Sequence, residues 1–203
     1  MFIDAAGLSP ADTYRLLVGS VVPRPIAWVT SGRDPVNLAP FSSFTWVSQH
    51  PAMLGFTVNR RAHGRKDTIR NIEAYGEYVV NIADESMLAS LHASSEGMPP
   101  DVGEAEHLGL ALEDSRVIGI PGLADAPVRM ECRYHSTTAF SPTGGEFVVG
   151  TVVAWSIRDD IVRVGSTGAA SIDTELLRPI GRLAGPRYTP LGRVMELPPV
   201  PGG

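Results

Sequence analysis

Two long β-rich segments joined by a glycine-containing connection constrain the fold more than any other feature of the sequence. They occupy residues 128–138 and 146–157, and the connection contains Ser141-Pro142-Thr143-Gly144-Gly145. Strand-forming runs separated by a short turn of this composition are typical of a β-hairpin, whose strands pair antiparallel. The second half of the chain is therefore predicted to be built around antiparallel β-structure.

The other segments predict shorter strands and a few short helices. Strands are predicted at residues 26–29, 53–58, 78–83, 117–118 and 161–164. Helices are predicted at residues 10–19 after an N-cap at Ser9, at 66–76 with a cap at Asp67 or Thr68 and a stop at Gly76, at 84–95, and at 104–107. Residues from 166 onward are rich in Gly and Pro and are expected to be irregular, with a tail from about 189. No repeat or linker divides residues 1–203, so one domain is predicted, a β-barrel or sandwich with short helices.

Composition excludes several classes of protein. The 203 residues are 43% hydrophobic, which allows a substantial core, and the formal charge of −5 argues against a nucleic-acid-binding surface. No apolar run reaches the roughly 20 residues that span a bilayer, and no signal peptide is recognisable. Cys132 is the only cysteine, which excludes an internal disulfide and a cysteine-rich metal site. We expect a cytoplasmic protein that binds neither nucleic acid nor membranes.

A stretch between two predicted strands has the composition of a ligand-binding segment. It reads Asn37-Leu38-Ala39-Pro40-Phe41-Ser42-Ser43-Phe44. Its small and polar residues would let a flat heteroaromatic ring approach the backbone amides and hydroxyls, while apolar neighbours shield the face of the ring. The plainer interpretation is a strand broken by proline, with two phenylalanines in the core. The stretch taken alone favours this plainer interpretation.

The start of the helix predicted at residues 66–76 is suited to a phosphate. A helix N-terminus offers unpaired N–H groups and a partial positive charge, and Thr68 adds a hydroxyl donor. The basic residues just before it are Arg60, Arg61, Arg65 and Lys66, the last being the only lysine among seventeen basic residues. Solvated arginines before an ordinary capped helix are the alternative. A phosphate-binding helix start near a ring-binding segment matches a flat cofactor with a phosphate tail, such as FMN.

Three motifs in this order resemble those of the flavin reductase-like proteins, which have the FMN-binding split barrel. They are Arg24-Pro25-Ile26-Ala27-Trp28-Val29-Thr30, the stretch from Asn37 to Phe44, and Lys66-Asp67-Thr68-Ile69-Arg70-Asn71-Ile72. The nearest branch contains flavoredoxin and the small component of nitrilotriacetate monooxygenase. Tyr78-Val79-Val80-Asn81 and the segment from Arg182 to Tyr188 also fit, so the resemblance covers about residues 19–188.

The resemblance implies a mainly β fold, a split barrel formed as a Greek-key antiparallel β-barrel with a few short peripheral α-helices. It also implies a homodimer with FMN at the subunit interface, NAD(P)H as electron donor, and a monooxygenase or other electron-acceptor protein as partner. The residues implied to line the isoalloxazine ring are Asn37, Leu38, Ala39, Pro40, Phe41, Ser42 and Ser43. Those implied around the phosphate and ribityl end are Thr57, Arg60, Lys66, Asp67 and Thr68. Thr45-Trp46 departs from the family pattern, and Trp46 could cover the ring or pack at the interface.

Such a protein needs little acid–base machinery, because hydride passes from a nicotinamide to the flavin. We therefore predict no catalytic side chain and no metal ligand, since the five histidines lack metal-ligand spacing. They are expected on the surface or in loops, at His50, His63, His92, His107 and His135. Cys132 is expected to be a core or interface residue, and Glu104 and Glu106 are expected to form a solvated face.

Several functions stay open on this evidence. The leading hypothesis is an FMN-dependent NAD(P)H oxidoreductase that supplies electrons to a partner, as a flavin reductase does. A flavoredoxin-like FMN electron carrier and a direct flavin-dependent reductase of small carbonyl or enone substrates are the closest alternatives. A barrel that binds haem, or no cofactor, and serves as an interaction module is the alternative from another class.

Overall fold

The computed structural model describes residues 1–60, 64–99, 101–141 and 144–198. Its strands are β1 (Ala27–Ser31), β2 (Asn37–Phe41), β3 (Phe44–Gln49), β4 (Ala52–Val58), β5 (Glu77–Ile82), β6 (Leu112–Glu113), β7 (Gly122–Leu123), β8 (Val128–Ala139), β9 (Glu146–Ile157), β10 (Val162–Val164), β11 (Ala170–Ile172), β12 (Gly181–Arg182) and β13 (Tyr188–Thr189). Its α-helices are α1 (Pro10–Ser20), α2 (Asp67–Tyr75), α3 (Leu88–Ala93), α4 (Glu104–His107) and α5 (Thr174–Leu177), with 3-10 turns at Ala5–Gly7, Glu85–Met87 and Asp159–Ile161. Arg61, His63 and the Pro142-Thr143 part of the predicted turn lie outside the described residues.

A seven-stranded antiparallel sheet forms the body of the molecule. Its strand order is β2-β1-β5-β8-β9-β4-β3, and the predicted hairpin is its centre, with β8 and β9 paired from Val128 opposite Ile157 to Ala139 opposite Glu146. The two edge strands are β2 and β3, which are consecutive in the chain and separated only by Ser42 and Ser43. Two residues span at most about 7 Å, so the sheet must curl until its edges meet. We call residues 41–44 the barrel seam.

The barrel interior is filled by apolar side chains from the main sheet and from α2. Phe41 at the seam packs on Phe56 of β4, with ring centroids 4.9 Å apart, and Phe56 meets Tyr78 of β5 edge-on at 5.7 Å. A Cβ at residue 150 would lie 2.1 Å from the Tyr78 hydroxyl, so only glycine leaves room for this ring. Cys132 is fully buried in the same cluster, as predicted.

A second apolar layer covers the outer face of β1. Trp28 and Leu38 are completely buried there against Leu91 of α3 and Ala105 of α4. Strand β1 is therefore buried along its whole length, because its alternate residues face two different cores. This layer holds α4 close to the edge strand β2, which matters for the site described below.

The helix predictions are largely confirmed. Ser9 caps α1 through its hydroxyl, which accepts from Asp12 N–H, and Gly76 ends α2 in the left-handed conformation at φ 69°. The cap predicted at Asp67 or Thr68 is wrong, because α2 begins at Asp67 and the N-cap residue is Lys66. The Asp67 carboxylate instead lies 3.6 Å from Arg70, and the Thr68 hydroxyl donates away from the helix.

Two strand and loop predictions are wrong. Residues 117–118 form no strand, because their N–H groups donate to the buried Glu131 carboxylate instead of to a neighbouring strand. Residues after 166 are not uniformly irregular but contain β11, α5, β12 and β13, elements too short to give a recognisable period. Within the described part of the tail, residues 190–198 form no helix or strand. None of the helices in the described ranges has the length and apolarity needed to cross a membrane.

Candidate functional site

The predicted ring segment forms edge strand β2 and the barrel seam. The plainer interpretation of its backbone is therefore correct, and Pro40 is tolerated because β2 pairs on one side only, with β1. Leu38 and Phe41 point into the two cores, whereas Asn37, Ala39, Pro40 and Ser42 are half-buried and Ser43 is exposed. The seam thus leaves small and polar groups accessible between two apolar anchors.

Helix α2 brings the predicted phosphate segment against the ring segment. The Thr68 hydroxyl donates to Asn37 Oδ1 at 2.7 Å, although the two residues are 31 positions apart. Lys66 Nζ lies 5.2 Å from the centroid of the Phe41 ring, within the range of a cation–π contact. The first-turn N–H groups of α2 have no intrahelical partners, so they add donors beside Lys66. The predicted neighbourhood of the two segments is confirmed.

Asn37 is held in one orientation by a buried carboxylate. Its Nδ2 donates to both oxygens of Glu104 at 3.0 Å, and Leu38 N–H donates to Oε2 of Glu104 at 2.8 Å. Because the amide nitrogen faces Glu104, the amide oxygen must face Thr68 and Ser31, whose hydroxyl lies 3.3 Å away. A Cβ at residue 103 would lie 3.1 Å from Val36 O, so glycine allows α4 to start this close to β2.

Arg60 and Arg65, the described arginines just before α2, both lie against carboxylates. Arg65 donates to Glu146 and to both oxygens of Glu73, and these hydrogen bonds raise the pKa of Arg65 and lower the pKa of Glu73. Arg60 Nη2 lies 3.7 Å from the same Glu146. A phosphate would have to compete with Glu146 for Arg60. Lys66 and the first-turn N–H groups of α2 lie at the helix start, beside the ring segment.

Thr57 and Asp67 complete the set of predicted residues. Thr57 is on β4 next to the seam, where its N–H donates to Ser43 O at 3.0 Å. Asp67 lines a cavity of about 200 Å³ together with Asn37 and Glu104. Every predicted site residue therefore lies on β2, at the seam, at the adjoining end of β4 or around the start of α2.

Glu104 is the residue of this network that sequence reasoning missed. The prediction that Glu104 and Glu106 form a solvated face is wrong for Glu104, which is only 6% exposed, and right for Glu106. Its partners lie 66 and 67 positions away, so no local pattern could reveal them. The histidines that the structure describes are exposed, as predicted.

A second cavity of about 210 Å³ adjoins the seam on the side of α1 and the segment at residues 182–188. Pro40 and Ser42 form part of its wall. The small connection between the two sheet edges therefore has accessible space beside it. Exposed Trp46 lies further along edge strand β3, with 69% of its surface accessible.

Residues 18–165 match the family model described as the flavin reductase like domain. The chain belongs to the flavin reductase-like family. The resemblance carried by the three sequence motifs is thereby confirmed. The chain is also 39% identical, over 97% of its length and 95% of the relative's, to an uncharacterized protein of Halalkalibacterium halodurans.

Solved structures share the fold over almost the whole chain. Nitrilotriacetate monooxygenase component B from Bacillus cereus superposes with a TM-score of 0.88 at 35% identity, over 97% of this chain and 98% of the other. The 2-nitrobenzoate 2-nitroreductase of Pseudomonas fluorescens gives 0.88 at 31% identity, over 100% and 98%. For the fold alone, a Shewanella frigidimarina protein described as having a split barrel domain gives a TM-score of 0.83 at 19% identity, over 98% of this chain and 100% of the other. The predicted mainly β split barrel with short peripheral helices is confirmed.

Proposed function

We propose that the protein is an FMN-dependent oxidoreductase that accepts hydride from NAD(P)H and passes the electrons to a partner, as a flavin reductase. The observation that carries the proposal is the 2.7 Å hydrogen bond between Thr68 and Asn37, which joins the ring segment to the phosphate segment. Membership of the flavin reductase-like family supports the same chemistry. Bound FMN would supply the hydride-accepting centre, and the protein's part is to hold and orient it.

In this proposal the ring lies along the seam and the phosphate lies at the start of α2. The small residues Ala39, Ser42 and Ser43 let the ring approach the backbone. The face of the Phe41 ring makes a cation–π contact with the Lys66 ammonium. Lys66 and the N–H groups of the first turn of α2 would hold the phosphate through charge-assisted hydrogen bonds. Leu38 acts through packing and backbone only, because its side chain is fully buried.

A homodimer with FMN at the interface is part of the proposal. Edge strand β3 presents Trp46 and Val47 to solvent, at 69% and 44% exposure, close to the seam. Large exposed apolar residues beside a binding segment are suited to burial against a second copy. Light scattering coupled to gel filtration should then give about twice the chain mass of 21.7 kDa. A monomer with full FMN affinity would refute the interface site.

The decisive experiment is an anaerobic titration. The purified protein mixed with FMN should show a protein-bound flavin spectrum, and NADH or NADPH should bleach it. Bleaching supports the reductase, whereas bound FMN that neither nucleotide reduces supports an electron carrier. Protein that takes up no FMN would contradict the whole proposal.

A direct reductase of small organic substrates is the second candidate. It is favoured by the 31% identity to a 2-nitrobenzoate 2-nitroreductase and by the cavity that shares Ser42 with the seam. Turnover of NAD(P)H with free flavin as acceptor should be compared with turnover on 2-nitrobenzoate and on cyclohexenone. A higher kcat/KM with free flavin supports the flavin reductase. A higher kcat/KM with 2-nitrobenzoate or cyclohexenone supports the direct reductase.

A further inference from the structure

The 210 Å³ cavity beside the seam is enclosed by α1, the seam and the segment at residues 182–188. It has room for roughly seven water molecules at liquid density. Polar side chains of Ser42 and Ser95 line it together with the aromatic rings of Tyr14 and Tyr188. The remaining walls are apolar or basic, so a ligand here must combine an apolar body with a polar group.

The cavity wall carries positive charge without a matching negative charge. Arg24 and Arg182 line it, and no acidic side chain among the described residues does. Among residues that the structure describes, neither guanidinium has a carboxylate within 4.0 Å, in contrast to Arg60 and Arg65. A desolvated cation without a counter-ion favours binding of an anion.

Arg24 provides a fixed charge. It is only 9% exposed, and its guanidinium donates to the carbonyls of Val18, Val21 and Leu183 at 2.8, 2.7 and 3.0 Å. Its orientation is therefore set by the backbone of α1 and of the segment that follows β12. Neutral carbonyls satisfy its hydrogen bonds but leave its charge uncompensated.

Arg182 provides a preoriented fork. Its guanidinium lies over the Tyr188 ring, with Cζ 4.5 Å from the centroid, and Nη1 donates to the Tyr188 hydroxyl. That hydroxyl also lies 2.9 Å from His92 Nδ1, which holds the tyrosine in place. Among the described residues, only Nη1 of the Arg182 guanidinium donates to another side chain. The N–H groups on Nε and Nη2 can therefore donate to a ligand. A planar fork of this kind suits the two oxygens of a carboxylate.

We propose that this cavity is a subsite for the carboxylate of a small organic acid with an apolar or aromatic body, bound by Arg182. The apolar walls select against inorganic phosphate, which has a charge but no body to bury. Because Pro40 and Ser42 belong both to the cavity and to the ring segment, the acid is held next to the proposed flavin. Its role as substrate rests on the proposed function, whereas the anion subsite itself does not.

Calorimetry with benzoate as the probe tests the subsite, first on the flavin-free protein and then after addition of FMN. Benzoate should bind, and benzamide, which has the same shape without the charge, should bind about 10- to 100-fold more weakly, the cost of a charge-assisted hydrogen bond. Inorganic phosphate should not displace benzoate at equal concentration. Since the first titration needs no flavin, failure of FMN binding and failure of the subsite are separate results.

Matched variants locate the binding residue. Arg182→Met should weaken benzoate by about 10- to 100-fold. Arg187→Met should leave it unchanged, because Arg187 lies on the same segment, is exposed and does not line the cavity. Should Arg182→Met fail to fold, Arg182→Lys, which keeps the charge without the fork, and Tyr188→Phe, which removes the supporting hydroxyl, should each weaken benzoate severalfold.

Four results would overturn the subsite. They are no benzoate binding to folded protein, equal affinity for benzoate and benzamide, displacement of benzoate by phosphate at equal concentration, and equal losses from the Arg182 and Arg187 variants. Each contradicts a different part of the argument, namely the cavity, the charge, the apolar body and the named residue.

Discussion

Two buried glutamates perform the same physical task in two regions of the molecule. Glu131 on β8 is 2% exposed and accepts from the N–H groups of Arg116, Val117 and Ile118 at 2.8, 2.8 and 3.2 Å. Glu104 at the start of α4 is 6% exposed and accepts from Leu38 N–H and from Asn37 Nδ2. Within the described residues, both carboxylates are desolvated and are compensated by hydrogen-bond donors, with no cation paired to them.

The two carboxylates differ in the segments to which they are hydrogen-bonded. Glu131 holds a loop on the outer face of the sheet, where Ile118 and Ile120 cover Val79, and all its donors are backbone groups. Glu104 fastens the edge strand, and through the Asn37 amide it also orients the hydrogen bond to Thr68. The first should govern stability alone, and the second should govern stability and cofactor binding together.

The largest expected effect is that of Glu131→Ala on stability. The substitution leaves three backbone donors without an acceptor and should lower the free energy of unfolding by about 3–5 kcal/mol, measured by urea denaturation. Glu106→Ala is the control, because that carboxylate is exposed. A loss under about 1 kcal/mol for Glu131→Ala would show that the loop finds other acceptors.

Lys66→Ala should be the largest perturbation of binding. Lys66 would contact the phosphate, so the variant should lose about 1.5–3 kcal/mol of FMN affinity and much less riboflavin affinity, because riboflavin has no phosphate. Fluorescence titrations with both flavins measure the difference. Arg70→Ala, an exposed change on the same helix, is the control. Equal losses for the two flavins would place the phosphate elsewhere.

Glu104→Gln should have a smaller effect on both properties. The amide that replaces one carboxylate oxygen faces donors and cannot accept from them, so Asn37 loses its fixed orientation. We expect about tenfold weaker FMN binding and about 1–2 kcal/mol lower stability. Glu106→Gln, an exposed change on the same helix, should alter neither. If Glu104→Gln lowers stability but leaves FMN affinity intact, the two glutamates play the same structural role.

The smallest effect concerns the buried thiol of Cys132. Burial raises the pKa of the Cys132 thiol to about 12, above the usual 8.5 of an unfolded chain. Between these values the unfolded state loses the proton while the native state keeps it, so stability falls as pH rises. From pH 8.5 to 9.5 the wild type should lose about 1 kcal/mol more than Cys132→Ala. Parallel stability curves for the two proteins would contradict the buried thiol.

Features with a local signal were predictable from the sequence. The hairpin of β8 and β9, the Ser9 cap and the Gly76 stop each depend on residues within a few positions of one another. The proximity of the ring and phosphate segments was predicted by their composition and by the motif resemblance. The hairpin, the cap and the stop are confirmed because local chemistry determines them, whereas the confirmed proximity of the two segments depends on a contact between residues 31 positions apart.

Features that depend on distant partners were not predictable. The local sequence predicts that Glu104 is a surface residue, but the packing of α4 on β2 buries it. The local sequence also makes Arg65 a candidate phosphate ligand, but its guanidinium donates to Glu146, 81 positions later. Residues 117–118 have strand propensity, yet the Glu131 carboxylate captures their N–H groups. In each case tertiary packing brings a carboxylate to partners that are distant in the sequence. Such contacts override the local structural propensity of the segment.

Arg24 has a consequence for how the molecule moves. Its guanidinium joins Val18 of α1 to Leu183, 159 residues away from Arg24, and the backbones of Arg24 and Arg182 exchange two hydrogen bonds. No residue of helix α1 is buried, and the hydrogen bond from Arg24 to Val18 O ties this helix to the guanidinium. Because α1 and the segment after β12 accept hydrogen bonds from the same guanidinium, displacement of that segment should also displace α1. The two walls of the cavity beside the seam should therefore move together.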